Sequence, residues 1–251
     1  MRPEIRLTET NMSSNLWQGR WRGVKPSGDN HRRARNVITP SGGIVRGKFP
    51  SRKNGRMVHH EGLLELEAIY LFETSPRIVR YREQPKTINY PDGARLRRYT
   101  PDFELVLSTG EIVFIEVKPV SSLKHDDVQH KLDRVTEYMR RSETAFVILT
   151  DQVIRQEPRL SNLRWIYHRA SRIPPTSDAM TVATNRYRNC LPLSLTVASN
   201  LSDVGGIDPY SLLLAGHLRC SLDQPISQET LIELNMEADN GWFCIAQEQG
   251  F

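Results

Sequence analysis

The sequence is organised around residues 99–119, YTPDFELVLSTGEIVFIEVKP. Two apolar runs flank a turn at Ser108–Glu111, a pattern that predicts a β-hairpin. Side chains alternate along a strand, so Glu116 and Lys118 share one face of the second strand. Folding back at the turn places Asp102 opposite them. The sequence therefore predicts two carboxylates and an ammonium together at one end of an apolar hairpin.

These three side chains are of the types that metal-assisted phosphodiester hydrolysis requires. Mg²⁺ prefers one or two carboxylates and keeps several waters, so Asp102 and Glu116 fit as direct ligands. Lys118 can orient an attacking water or offset charge in the transition state. The carboxylates would raise the pKa of Lys118 and burial would lower it, and the sequence leaves the balance open.

Composition indicates a globular protein: 251 residues, 38% of them hydrophobic and 25% charged. This length suits either one catalytic domain with a smaller second one or a single larger domain. No apolar stretch is long enough to cross a bilayer, and no signal peptide is visible. The three cysteines are scattered and lack metal-ligand spacing, so a reducing cytoplasm is the expected setting.

The net charge of +5 is distributed unevenly along the chain. Residues 20–56 carry eleven basic side chains and one acidic one, whereas residues 175–251 carry three basic and nine acidic ones. A polyanion would bind the first region and be repelled by the last. We therefore expect a basic N-terminal arm over 1–56, a catalytic domain over 57–172 and a C-terminal partner-binding domain over 178–251.

Nine basic residues, in the arm and just before Asp102, are candidates for contact with DNA phosphates. They are Arg32, Arg33, Arg35, Lys48, Arg52, Lys53, Arg95, Arg97 and Arg98. For the arm, a solvated basic tail is the alternative interpretation.

Hydrophobic periodicity predicts an α/β fold, with a mixed sheet and helices on its faces. The expected elements are a helix from Leu63 to about Ser75, strands at Arg77–Pro85 and Thr87–Tyr90, the hairpin, a helix at Asp126–Arg141, and strands at Thr144–Thr150 and Leu163–His168. The C-terminal part is expected to be mostly helical, with helices at Ala179–Tyr187, Leu195–Leu201, Tyr210–Leu222 and Thr230–Leu234.

Two sets of motifs carry a family resemblance. Thr100-Pro-Asp102 followed by Glu116-Val-Lys118 resembles the PD-(D/E)XK nuclease motif. The wider pattern resembles the N-terminal domain of TnsA, the endonuclease subunit of heteromeric cut-and-paste transposases, over roughly residues 35–170. It comprises Leu63-Leu-Glu65-Leu, Val79-Arg-Tyr-Arg-Glu-Gln-Pro85, Tyr99-Thr-Pro-Asp102 and Val113-Phe-Ile-Glu-Val-Lys-Pro119.

This resemblance implies a restriction-endonuclease-like mixed sheet flanked by helices, with a smaller, mostly helical C-terminal domain. It also implies that Glu65, Asp102 and Glu116 bind Mg²⁺, with Mn²⁺ as a substitute, and that Lys118 completes the catalytic site. The enzyme would cut the 5′, non-transferred strands at transposon ends. Its partners would be a TnsB-type DDE transposase and a TnsC-type AAA+ ATPase, in the bacterial cytoplasm and at the nucleoid when active.

Two other functions remain open from the sequence. One is a stand-alone nuclease, either a Holliday-junction resolvase or a restriction-like enzyme, although the acidic C-terminal part argues against it. The other is a DNA-binding scaffold without catalysis, against which the intact Asp102, Glu116 and Lys118 argue. Two roles also remain open for Gln84, which can hydrogen-bond the site or hold a sheet edge.

Overall fold

The computed structural model describes residues 31–34, 45–202, 207–237, 240–247 and 250–251. The first part contains β1 (Gly47–Ser51), β2 (Arg56–His60), α1 (Leu63–Thr74), β3 (Ile78–Glu83), β4 (Ile88–Asp92), β5 (Arg95–Tyr99), β6 (Phe103–Leu107), β7 (Ile112–Lys118), α2 (Val120–Leu123), α3 (Asp126–Arg141), β8 (Ala145–Thr150), α4 (Asp151–Ile154) and α5 (Arg159–Arg169). The second part contains α6 (Ser177–Tyr187), β9 (Leu193–Ser194), α7 (Leu195–Ser202), α8 (Pro209–Leu214), β10 (Leu218–Arg219) and β11 (Leu231–Leu234).

The central sheet has four strands in the order β3-β6-β7-β8. The pairs β3–β6 and β6–β7 are antiparallel, whereas β7 and β8 are parallel, so the sheet is mixed. The predicted hairpin is confirmed, with Phe103 opposite Ile115. One step further along this register, Asp102 lies beside Glu116. The sheet thus places both carboxylates at one end of the hairpin.

Helices cover the two faces of this sheet, because β7 is apolar on both sides. Ile115 belongs to a core that includes most of α1, whereas its neighbour Phe114 belongs to a second cluster formed with α3. From α3 come Leu132, Val135 and Met139, whose spacing of three and four residues gives one apolar stripe. Each fully buried large apolar side chain contributes about 1.5–3 kcal/mol.

A hairpin of β1 and β2 precedes α1 and belongs to the same structural unit. Phe49 in β1 and Val58 in β2 are buried in the core with α1. The expected basic arm over 1–56 therefore contains a strand that packs on the central core from Gly47 onward. Most of the remainder of that arm lies outside the described residues.

Three expected elements have a different secondary structure. The helix expected at Tyr210–Leu222 ends early, because α8 stops at Leu214 and Leu218–Arg219 form strand β10. The stretch Leu163–His168, expected as a strand, is part of helix α5, because Leu160, Leu163 and Tyr167 are buried at helical spacing. The expected helix at Thr230–Leu234 is strand β11, which pairs with both β9 and β10. Pairing with these two neighbours outweighs the local signal for a helix start.

The C-terminal part combines helices α6–α8 with a three-stranded sheet in the order β10-β11-β9. Its core includes Ile166 and Ala170 from α5 and the end of that helix, so the two cores share an element. Ile245 and Phe251 return to the core beneath the central sheet. Among the described helices, none has the length and apolarity needed to cross a bilayer.

Candidate active site

The open end of the hairpin holds three of the predicted site residues. Asp102 and Glu116 are only 5% and 3% exposed. Asp102 Oδ2 accepts a hydrogen bond from the backbone N–H of Val117 at 2.9 Å. Lys118 Nζ lies 2.9 Å from Glu116 Oε1. The sequence-predicted cluster is therefore formed, with both carboxylates fixed by neighbouring groups.

Tyr99 also belongs to this cluster, and the sequence analysis did not identify it as a site residue. Its hydroxyl donates a hydrogen bond to Glu116 Oε2 at 2.5 Å. Tyr99 lies at the end of β5, which pairs with β4 rather than with the central sheet. Its position three residues before Asp102 is the signal that could have pointed to it, but a tyrosine at a strand end is more commonly a packing residue.

Gln84 performs both of the roles that the sequence left open. Its backbone N–H donates to the carbonyl oxygen of Asp102 at 2.8 Å, just beyond the end of β3. Its side-chain Nε2 donates to Asp102 Oδ1 at 3.5 Å. The φ angle of Gln84 is +47°, in the left-handed region that non-glycine residues rarely adopt. This unfavourable backbone conformation occurs at a residue that touches the site.

Glu65 lies in the first turn of α1, the helix that carries it toward the same end of the sheet. Its Oε2 accepts a hydrogen bond from the backbone N–H of Glu61 at 2.7 Å. Its negative charge also raises the pKa of Asp102. Within the described part of the chain, no three Asp, Glu, His or Cys side chains are grouped as a complete metal-ligand set. Asp102 and Glu116 are the two carboxylates that the structure brings together.

The charges of the cluster act strongly on one another. Burial raises the pKa of Asp102 well above its usual range, and Glu116 and Glu65 raise it further, against the smaller effects of Lys118 and the Val117 N–H. Burial lowers the pKa of Lys118, but Glu116 and Asp102 raise it more, so its net pKa is raised. Lys118 is therefore a cation at neutral pH, which answers the question left open by the sequence.

This donor set suits a hard divalent cation. Two carboxylates on one hairpin end match the one or two carboxylate ligands that Mg²⁺ prefers in proteins. Burial is the main cause of the raised pKa of Asp102, and the negative charges of Glu116 and Glu65 add to it; a bound cation would offset these charges. Asp102 and Glu116 would hold such an ion, with Glu65 adding negative charge from α1.

Two of the DNA-contact candidates form internal contacts. Arg52 Nη2 donates to the carbonyl oxygens of Tyr167 and Ala170 at 2.7 and 3.0 Å. Lys53 Nζ donates to three carbonyl oxygens around the end of α1, and burial lowers its pKa to about 8. The ammonium of Lys53 thus serves the protein interior rather than a DNA surface.

The other candidates in the arm have varied surroundings. Arg33 Nη1 lies 2.8 Å from His59 Nδ1. Arg32 and Lys48 are exposed. Arg35 lies outside the described residues.

The three arginines of β5 lie on an exposed two-stranded ribbon with β4. Arg97 forms an ion pair of 2.5 Å with Asp92, and Arg95 and Arg98 extend beside it. The ribbon ends at Tyr99, so these cations approach the site along the strand that leads into it.

The mixed sheet and the buried Asp102–Glu116–Lys118 cluster define a restriction-endonuclease-like domain. A comparison with curated proteins finds no match. Residues 75–151 match the family model described as the N-terminal domain of TnsA-like endonucleases. Over these residues the chain is similar to the endonuclease domain of that family, which supports a transposon-associated nuclease. The match includes Asp102, Glu116 and Lys118, whereas Glu65 precedes it.

Proposed function

We propose that this chain is a Mg²⁺-dependent DNA endonuclease that cuts the 5′, non-transferred strands at transposon ends during cut-and-paste transposition. The observation that carries the proposal is the buried Asp102–Glu116 pair beside the Lys118 ammonium, inside a TnsA-like domain. A scaffold without catalysis would not need two carboxyl groups buried side by side, an arrangement that raises the pKa of Asp102 and costs stability in the absence of a cation.

Each side chain has a distinct task in this proposal. When bound, Mg²⁺ supplies charge neutralisation at the phosphate and a water of lowered pKa. Asp102 and Glu116 hold the ion, Glu65 adds a third carboxylate, and Mn²⁺ substitutes for Mg²⁺. Lys118 remains protonated and stabilises negative charge that develops on the phosphate oxygens. The Tyr99 hydroxyl and the Val117 N–H keep the two carboxylates oriented.

The substrate is held through its phosphates in this proposal. Exposed Arg32 and Lys48, together with the arginines of β5, provide cations on the described surface. We assign no base-reading role to them, so sequence specificity comes from a TnsB-type DDE transposase that cuts and joins the 3′ ends. The bacterial cytoplasm, at the nucleoid during activity, is the proposed location.

The C-terminal part is proposed to bind a protein partner, a TnsC-type AAA+ ATPase. Residues 175–251 carry nine acidic and three basic side chains, a balance that disfavours a DNA phosphate surface. Asp178 and Glu229 are exposed in this region. Charge reversal at both positions should weaken retention of the ATPase by the full-length chain, and unchanged retention combined with tighter DNA binding would contradict the assignment.

Strand-specific cleavage tests the proposed activity. Transposon-end DNA labelled on either strand is incubated with the chain, with or without the transposase and ATPase, in Mg²⁺, Mn²⁺ or EDTA. We expect 5′-strand cutting in both metals and none in EDTA. Asp102→Ala and Lys118→Ala should abolish it, whereas the exposed controls Asp133→Ala and Lys124→Ala should not.

Two results would contradict the proposal. Cutting by both Asp102→Ala and Lys118→Ala at wild-type rates would remove the site assignment. Partner-independent cutting of branched DNA, with no preference for transposon ends, would favour the stand-alone resolvase or restriction-like enzyme.

A further inference from the structure

A cavity of about 500 Å³ lies between β1, the middle of α1 and the end of α5, separate from the carboxylate cluster. Its wall contains three buried aromatic rings, those of Phe49, Tyr70 and Tyr167. Phe49 lies 5.1 Å from Tyr70 and 5.0 Å from Tyr167 between ring centroids. This volume falls within the range of sites that hold one small ligand.

Positive charge surrounds these rings. Four cationic side chains line the cavity, namely those of Arg46, Lys48, Arg52 and Arg172, and its lining includes no acidic side chain. Lys48 and Arg172 are exposed and lie at the solvent side. An aromatic wall combined with a cationic rim complements a ligand that has a flat apolar part and a negatively charged part.

Hydrogen bonds hold the wall of the cavity in place. The Tyr167 hydroxyl donates to the carbonyl oxygen of Pro50 at 2.8 Å, and Tyr70 and His168 are joined at 3.1 Å. The Arg52 guanidinium lies over the Tyr167 ring, 4.2 Å from its centroid. Arg52 Nη1 is buried and has no hydrogen-bond partner among the described residues.

The cavity is close in sequence and structure to the N-terminal turns of α1. Leu66 lines it and directly follows Glu65, the acid whose charge acts on Asp102. Arg46, also in the lining, lies 3.8 Å from Glu61 in an ion pair. These two contacts place the cavity beside the part of α1 that carries Glu65.

We propose that this cavity binds one unpaired nucleotide of the DNA, with its base against the aromatic wall and its phosphate against the cationic rim. A base stacked in a duplex cannot enter such a cavity, so the site selects a nucleotide that is unpaired or drawn out of the helix. The proposal rests on DNA as the substrate, as proposed above, and adds a requirement for an unpaired nucleotide in that DNA.

Binding of short oligonucleotides in EDTA tests this proposal without any cleavage. The full chain is titrated with a labelled single strand, with the same strand carrying one abasic position, with the matching duplex and with free deoxyadenosine monophosphate, and fluorescence anisotropy or competition is measured. We expect the single strand to bind more tightly than the duplex. Because one stacked base contributes about 1–3 kcal/mol, we expect at least a fivefold loss at the best-placed abasic position.

Substitutions at the rim localise the effect. The double variant Lys48→Ala/Arg172→Ala should weaken single-strand binding at least fivefold and lower its salt dependence, because two phosphate contacts are lost. Exposed Arg188→Ala, in the C-terminal part, serves as the matched control and should bind like wild type. His168→Ala tests the wall of the cavity, because it removes a lining side chain without removing one of the three buried rings. It should also weaken single-strand binding, and its melting temperature is measured to check that the fold is retained.

Three outcomes would overturn the proposal: equal affinity for the abasic and intact strands at every position, unchanged binding by both the rim and wall variants, or free nucleotide binding as tight as that of the strand. The binding experiments do not depend on cleavage, so they test the nucleotide site even if the chain does not cut DNA. The proposed activity and the proposed nucleotide site can therefore be disproved separately.

Discussion

Tyr99 and Glu116 are joined by a hydrogen bond of 2.5 Å between the phenol oxygen and Oε2. Burial raises the pKa of Tyr99, and the negative charge of Glu116 raises it further, so the phenol keeps its proton and remains a donor. The other oxygen of Glu116 faces Lys118 at 2.9 Å. Both oxygens of this carboxylate are thus oriented by protein groups from two different strands, β5 and β7.

Removing the Tyr99 hydroxyl should reduce cleavage while the fold persists. Tyr99→Phe keeps the ring packing against Tyr90 and Phe146 but frees Glu116 Oε2 to rotate. Groups that orient a ligating carboxylate typically contribute about 10–100-fold to metal affinity or activity, so we expect a loss in that range. A cleavage assay across a Mg²⁺ titration measures it.

Tyr138→Phe is the matched control for this substitution. Tyr138 packs against the same apolar cluster as Tyr99, and its hydroxyl has no hydrogen-bond partner in the part of the chain that the structure describes. Cleavage by this variant should equal that of wild type. An equal effect of both substitutions would show that the Tyr99 hydroxyl has no special role.

Asp102→Asn should stabilise the metal-free protein at alkaline pH. Because the folded-state pKa of Asp102 is raised, the folded protein keeps a proton that the unfolded chain releases near pH 4. The stability that this proton gives is complete below about pH 4 and is lost as the pH rises through the raised folded-state pKa. The amide side chain of the variant carries no charge at any of these pH values and avoids that loss.

The measurement is the melting temperature of both proteins in EDTA at pH 5 and pH 8.5. The advantage of Asp102→Asn should be larger at pH 8.5, and each kcal/mol corresponds to about 2–4 °C in a chain of this size. Mg²⁺ should raise the melting temperature of wild type more than that of the variant. An advantage that is independent of pH would contradict the raised folded-state pKa of Asp102, which burial and its acidic neighbours produce.

Two substitutions of Gln84 should distinguish the role of its side chain in cleavage from the effect of its backbone conformation on stability. Both Gln84→Ala and Gln84→Gly remove the hydrogen bond to Asp102 Oδ1 and should lower cleavage to a similar extent. Only glycine relieves the cost of the positive φ angle, about 1 kcal/mol. Urea unfolding should therefore find the glycine variant more stable than the alanine variant, and the reverse order would show that the left-handed conformation carries no cost.

Lys53→Met should destabilise the protein through the end of α1. The Lys53 ammonium binds the carbonyl oxygens of Phe72, Ser75 and Ile78, which the thioether cannot replace. Leaving buried carbonyls without donors should lower the free energy of unfolding by about 2–4 kcal/mol. Exposed Lys124→Met is the control for loss of a positive charge. If Lys53→Met had the melting temperature of wild type but bound DNA more weakly, Lys53 would be a DNA-phosphate contact and not a structural residue.

The hairpin and its cluster were predictable because their signals are local. Side-chain alternation along β7 shows which of its residues share a face, and the position of the turn places Asp102 beside Glu116. Tyr99 could not be found in this way, since its contact with Glu116 depends on how the ribbon of β4 and β5 docks onto the sheet. The internal contacts of Arg52 are similarly long-range, because its partners lie in and just after α5.

Short segments were predicted wrongly where their apolar pattern fits both the two-residue repeat of a strand and the 3.6-residue repeat of a helix. In Leu163–His168 three apolar residues, Leu163, Trp165 and Tyr167, alternate as in a strand. The same stretch also fits a helix, because Leu160, Leu163 and Tyr167 are buried at helical spacing. Regular alternation in β3 would place Val79 on the same side as buried Tyr81, but a register shift between Ile78 and Arg80 leaves Val79 exposed. Such an irregularity leaves no composition signal.

Helix α5 has a consequence for how the chain can be divided. It supplies Leu163 and Tyr167 to the core beneath the central sheet and Ile166 to the C-terminal core. A truncation just after this helix would strip the cover from an apolar face and invite aggregation. Calorimetry of the intact chain should show a single cooperative transition, since neither core can melt without removing a wall of the other.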